Sequence, residues 1–343
     1  METLRIAGRR YSDPDIISLC RQSGELIDPR WKIVSTARSL VERARDFPGW
    51  PNDALTRLKI IASLNGIKIA PMPADLARSE SRDAVLYPTE SGWRVLYNPD
   101  RPNARIVFTI AHEIVHTFFP NSRSGARFRS VTSPGSREAN ELELLCHLGA
   151  SELVMPVDEF QRQANGRFGL ASVASLASYF GTSFEATVYR LATSHPGIAV
   201  AGLLRYRHTR EEERRLAQTT TMSLFTEAIG TPPKPAERKY RRQSVHLSPA
   251  SPENEYTIRF NKSFDPSSIV YTAREGSIRI RTGFESLPNA SSAKGRIEAM
   301  LCPYQGQDAD PEFGDVFFFW ERTVDHVNSD HNGVSETPGR LDI

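Results

Sequence analysis

The sequence predicts an α+β protein, with a mostly helical domain holding a small β-sheet and then a mainly β domain. Apolar residues recur at helical spacing in one segment after another up to about residue 192, with three short strand-like runs among them. From about residue 255 the pattern changes to strand-like alternation. A length of 343 residues is long for one domain and suits two or three.

Residues 1–34 are polar and mixed, and read as a loosely organised N-terminal lead. Ser35 to Phe47 has helical spacing, with Leu40, Val41 and Ala44 on one side. Pro48-Gly49-Trp50-Pro51 breaks it, and Asn52 or Asp53 can cap a second helix from Ala54 to Leu64. Ile67 to Ala70 is a short strand. Asp83 to Tyr87 and Trp93 to Tyr97 form a hairpin around Ser91-Gly92. Arg105 to Phe119 lacks Gly and Pro and is apolar on nearly every face, as a buried helix is. Residues 121–135 read as an exposed loop. Ser136 to Met155 is helical and closed by Pro156. Helices at Val157–Ala164, Leu170–Phe180 and Phe184–Ala192 follow, then an apolar strand from Ile198 to Tyr206.

The composition shifts near residue 209. A charge run at Glu211–Arg215, three prolines and the basic cluster Arg238, Lys239, Arg241, Arg242 mark residues 209–254 as a linker. Residues 255–324 are expected to be mainly β, with strands at Tyr256–Phe260, Ile269–Ala273, Ser277–Arg281, Arg296–Leu301 and Asp315–Trp320. Residues 325–343 are expected to be a flexible tail. The helical domain is thereby bounded at residues 35–208.

Composition excludes several classes. A 39% hydrophobic and 24% charged chain is neither disordered nor a disulfide scaffold. No apolar run is long enough to span a bilayer, so no membrane partner is expected. The first residues lack the basic-then-apolar order of a signal peptide. Three distant cysteines with no C-x-x-C pair suit a reducing cytoplasm. A net charge of +2 argues neither for nor against nucleic acid.

The strongest chemical signal is His112-Glu113-Ile114-Val115-His116. On a helix, positions i and i+4 share a face, so both imidazoles can address one ion. Glu113 lies between them, where a carboxylate can take a proton from a water activated by that ion and pass it to a leaving amine. Zn²⁺ is the expected cofactor. Burying Glu113 in an apolar helix is costly unless it has such a task or a partner.

A catalytic zinc needs a third protein ligand and an open position. The next helix offers Glu138, Glu141, Glu143 and His147. Glu143 and His147 are themselves i, i+4, with Cys146 at i+3 on the same side. The residues alone leave the choice among the carboxylates open.

Phe108-Thr109-Ile110-Ala111-His112-Glu113-Ile114-Val115-His116 resembles the F-T-x-A-H-E-x-x-H of the ImmA/IrrE metallo-endopeptidases. That family pairs this helix with a downstream E-x-x-[AC]-N-x-F-A-A-E-L-L-M-P. Glu143 to Pro156 matches it in register, with His147 where Asn is usual and Gly149 where Phe is usual. The resemblance implies a zincin-like fold, His112, His116 and Glu143 as zinc ligands, and Glu113 as general base and acid. Glu138-Ala139-Asn140 imitates the second motif but lies too far before Met155-Pro156. Trp93 to Asn98 and Leu176 to Leu191 extend the similarity, which covers about residues 35–206. The activity implied is cleavage of a helix-turn-helix repressor, switching on stress, mobile-element or phage-related genes. The C-terminal β domain would then recognise a signal, a partner or the substrate.

A group that stabilises the transition state is also required, and His147 and Arg105 are the candidates. Cys146 reads as a packed core thiol. Residues 170–191 have a helix-turn-helix rhythm, but the second helix has no basic face, so direct nucleic-acid binding is not expected. Two alternatives stand beside the peptidase: a zincin-like protein that sequesters a repressor or toxin without cutting it, and a DNA-binding regulator. The sequence does not fix the oligomeric state.

Overall fold

The computed structural model describes residues 3–21, 26–79, 83–120, 137–223, 237–274, 279–288, 293–305 and 309–323. The loop expected at 121–135 and the tail expected at 325–343 lie outside the described residues. Helices and several sheets coexist, so the chain is α+β. It divides into two compact units, Met1–Gln163 with Ser175–Ala186, and Ala164–Ala174 with Thr187–Ile343.

The first unit opens with a hairpin of β1 (Leu4–Ile6) and β2 (Arg9–Tyr11). Its turn sits at Ala7 and Gly8, both at positive φ, as a tight primed hairpin turn requires. Helix α1 (Pro14–Cys20) is capped by Asp13, whose side chain accepts from the Asp15 and Ile16 N–H groups. Helix α2 (Pro29–Arg45) is capped in the same way by Asp28. Residues 1–34 are therefore not a loose lead among the described positions. Ile16, Leu19, Cys20 and Ile33 are buried core, and the two Asp-Pro pairs are helix starts. Helix α3 (Ala54–Leu64) runs as its sequence spacing predicts, capped by Asp53.

A three-stranded sheet follows, of β3 (Ile67–Pro71), β4 (Ala84–Thr89) and β5 (Gly92–Tyr97), with α4 (Ala74–Ser79) between β3 and β4. Its order is β3-β5-β4, with β3 parallel and β4 antiparallel to β5. Helix α5 (Asn103–His116) lies against β4, β5 and α3, and packs beside α6 (Arg137–Val154). Helix α7 (Val157–Ala164) comes next, then a 3₁₀ turn (Leu170–Ser172), α8 (Val173–Phe180) and α9 (Phe184–Thr193). Phe180 stacks on Phe160 in the core of this unit.

The second unit is built on a five-stranded antiparallel sheet. It contains β6 (Ala199–Arg207), β7 (Lys239–Leu247), β8 (Arg281–Ser286), β9 (Lys294–Leu301) and β10 (Asp315–Arg322), ordered β7-β6-β10-β9-β8. Residues 315–320 of β10 are buried on both faces. Val316, Phe318 and Trp320 face a core shared with Val200, Leu204, Tyr240 and Ile297. Short helices α11 (Glu253–Tyr256) and α12 (Ile269–Thr272) lie in the segment that covers this face, while α10 (Arg210–Ser223) joins β6 towards β7.

Further boundaries differ from the sequence expectation, among them the strand expected at Ser277–Arg281, which is found at Arg281–Ser286. Strand β6 belongs to the second sheet rather than to a domain ending at 208, and its unbroken apolar run reflects burial between β7 and β10. The expected linker at 209–254 contains α10 and β7 among its described residues. The basic cluster misled because two of its members, Arg241 and Arg242, bond to groups within the fold. Arg241 is buried and donates to the Arg207 and Asn261 carbonyls and to Glu212, and Arg242 donates to the Ile258 carbonyl and lies over the Phe260 ring. Tyr256–Phe260 and Ile269–Ala273 are not strands. Tyr256 and Ile258 pack onto the sheet from outside it. In the second segment Ser268 caps a helical turn that buries Val270 and Ala273, three apart.

Candidate metal centre

Helix α5 is prepared by the loop before it. Asn98 is buried, donates to the Ala77 carbonyl and accepts the Asp100 N–H, which turns the chain into Pro102 and the helix start. The helix ends at Thr117, whose N–H and hydroxyl both bond the Ile114 carbonyl. Its last turns bury His112, Glu113 and His116 at 6–8% exposure.

The two imidazoles converge: His112 Nε2 and His116 Nε2 are 3.1 Å apart. Glu143, from the neighbouring α6, brings Oε2 to 3.1 Å from His112 Nε2 and Oε1 to 3.9 Å from His116 Nε2. Ligands held at about 2.0–2.2 Å around one tetrahedral ion stand about 3.3–3.6 Å from each other. The three observed separations bracket that value, so the residues fit a divalent metal. Two imidazoles and one carboxylate are also a donor set of catalytic zinc. His112 Nδ1 is buried without a hydrogen-bond partner, so His112 has only its Nε2 side engaged.

The other acidic residues of α6 are accounted for differently. Glu141 accepts the Ser12 N–H at 3.1 Å, tying the N-terminal segment to the helix. Glu138 lies on α6, with its side chain outside the described residues. The His147 ring sits 4.8 Å from that of His112 and 5.8 Å from that of Phe108, at the exposed edge of the cluster. His147 also groups with His112 and Glu143 as a set of close donors. Arg105 is not brought to the cluster as a stabiliser. It sits in the first turn of α5, 59% exposed, with Nε 2.5 Å from Asp83 Oδ2.

One partner of the site was not assigned a role from sequence. Cys146 is fully buried, as a core thiol would be, and its Sγ lies 3.4 Å from His116 Nδ1. Its placement three residues after Glu143, on the same helical side, was the available signal. Cys146 forms a second close donor group with His112 and His116. The contact is with Nδ1, however, the ring nitrogen that points away from the place where both Nε2 atoms meet.

Residues 63–192 match the Peptidase M78 family model, described as the IrrE N-terminal-like domain. This segment is similar to the ImmA/IrrE family. The match spans α5 and α6, so the IrrE-like domain contains every residue of the cluster. That family suggests a metallopeptidase, although some of its members are regulators, and it implies a metal ion. No curated protein matches the chain. Among solved structures, a Mycobacterium tuberculosis transcriptional regulator is similar at 14% identity, over 84% of this chain and 76% of that chain, with a TM-score of 0.47. No helix among the described residues is long and apolar enough to cross a membrane.

Proposed function

We propose that this chain is a zinc-dependent endopeptidase with a zincin-like catalytic core, in which His112, His116 and Glu143 hold Zn²⁺ and Glu113 is the general base and acid. The convergence of two imidazole Nε2 atoms and a carboxylate beside a buried Glu113 carries this reading. When bound, the ion would lower the pKa of a water and polarise the scissile carbonyl. The Glu113 carboxylate takes the proton from the attacking water and delivers it to the leaving nitrogen. In this reading His147, whose ring lies beside that of His112 at the exposed edge of the cluster, donates to the oxygen on which charge develops.

The substrate we propose is a helix-turn-helix repressor, whose cleavage releases stress, mobile-element or phage-related genes. The second unit serves recognition of a signal or of that substrate. The site of action we propose is the cytoplasm, in keeping with three buried thiols that form no disulfide. Helix α9 supports a packing role over a DNA-reading one, since Thr187, Val188, Arg190 and Leu191 are buried. The test is co-expression of the chain with each helix-turn-helix repressor encoded beside it, as wild type and as Glu113→Gln, with repressor length read by mass spectrometry. A fragment made only by wild type is the expected result. An intact repressor that co-purifies with both forms would overturn the peptidase in favour of sequestration.

A further inference from the structure

We propose that Cys146 is the positioning partner of His116: its sulfur accepts the Nδ1 proton of that imidazole and so aims the Nε2 lone pair at the metal. This rests on the metal-centre reading above. A neutral imidazole that ligates through Nε2 carries its proton on Nδ1, and that N–H needs an acceptor once buried. In metal sites the acceptor is usually a carboxylate, a backbone carbonyl or water. Here the atom opposite His116 Nδ1 is Cys146 Sγ, at 3.4 Å, within the longer reach of a sulfur hydrogen bond. His116 and Cys146 are both buried, so bulk water does not take the acceptor's place.

The helix makes the arrangement compact. Glu143 and Cys146 are three apart on α6, so one helical face supplies both a ligand and the group that orients another ligand. Ligation by Cys146 is disfavoured by the same geometry. The ring nitrogen it meets diverges from the Nε2 atoms of His112 and His116, which face each other at 3.1 Å. Sulfur is a weak acceptor compared with a carboxylate. What the contact supplies to His116 is chiefly a fixed ring orientation.

The experiment uses the full chain as wild type, Cys146→Ala and Cys146→Ser, and measures zinc affinity by competition with a chromophoric chelator. Both substitutions remove the sulfur's bulk, but only serine keeps an acceptor. Alanine is expected to weaken zinc binding by about 10–100-fold, the usual effect of losing an outer partner of a metal ligand. Serine is expected to recover most of that loss. Equal affinity in wild type and alanine overturns the proposal, and so does an equal loss in both variants, which would mean packing alone. The cobalt-substituted wild type provides a second readout. A thiolate-to-cobalt charge-transfer band would make Cys146 a ligand and overturn the proposal, and its absence is expected. Should the alanine chain fail to fold, imidazole nitrogen NMR of the zinc-loaded wild type decides. His116 is expected with Nε2 metallated and Nδ1 protonated, and the opposite tautomer overturns the assignment. A wild-type chain that takes up no zinc overturns the metal-centre reading itself and this inference with it.

Discussion

The Glu143 carboxylate of α6 stands 3.1 Å from His112 Nε2 of α5, across the interface of two helices joined by a long connection. Glu138 is five residues earlier on the same helix, about 140° around its axis. The two glutamates are therefore not interchangeable, although both sit near an Asn- or His-containing motif. Glu143→Gln is expected to weaken zinc binding by more than the roughly 10–100-fold seen for outer partners, and Glu138→Gln to leave it unchanged. Zinc competition titrations on the two variants check this. Comparable losses would put the third ligand elsewhere.

Glu113 separates chemistry from metal binding. It lies between the two histidines in sequence yet is not among the donors grouped around them. Glu113→Gln is expected to keep one zinc per chain while lowering the cleavage rate by about 10²–10⁴-fold, the usual worth of a positioned general base. Metal content together with repressor cleavage in the same preparation checks it. An active Glu113→Gln chain would assign the proton transfer to another group.

Helix-forming segments with a strong apolar period were legible in the sequence, and so was the pairing of His112 and His116 on one helical face. Glu143, which stands beside them in the structure, came from the family resemblance and not from the residues alone. What was not legible depended on partners distant in sequence. Arg241 looked like linker charge because the Glu212 carboxylate and the carbonyls that satisfy it lie 20 to 34 residues away. Tyr256 and Ile258 alternate like a strand, although their period comes from capping a sheet rather than from joining it. Cys146 read as packed core because its place on the Glu143 side of the helix does not say which atom it faces, and that atom is His116 Nδ1. Arg105 was assigned by chemistry alone, and Asp83, 22 residues before it, holds it elsewhere.

Gly149, where Phe is usual in the ImmA/IrrE family, stands where α2 and α5 both approach α6 closely. A β-carbon on Gly149 would stand 2.8 Å from Ile33 Cγ2 and from both Val115 γ-carbons. All three belong to buried β-branched side chains with little rotamer freedom. Gly→Ala inside a helix ordinarily stabilises by about 1 kcal/mol. Here the sign is expected to reverse, with Gly149→Ala destabilising by about 1–3 kcal/mol through overpacking. Ile33→Ala should cost less in the Gly149→Ala background than in wild type, since it opens the space the new methyl needs. Denaturant unfolding of the four chains of this double-mutant cycle gives the coupling, and strict additivity would count against the contact.

In the second unit, Glu321 of β10 links pH to stability. Burial pushes its pKa up, but hydrogen bonds from His195 and Arg296 outweigh that and hold the carboxyl below its ordinary value of 4.5. A carboxyl with a depressed folded-state pKa stabilises the fold fully above its unfolded value. That contribution is lost as pH falls through the folded value. The contribution of Glu321 is therefore expected to shrink below about pH 4.5, where the unfolded chain takes up a proton that the folded carboxyl still resists, and to be gone once pH has fallen through the folded value. Glu321→Gln removes the ionised group, so it should be less stable than wild type at neutral pH and approach it in acid. Thermal melting of both chains between about pH 3 and 7 measures the gap. A gap that stays constant across that range would mean that Glu321 contributes packing and neutral hydrogen bonds rather than charge.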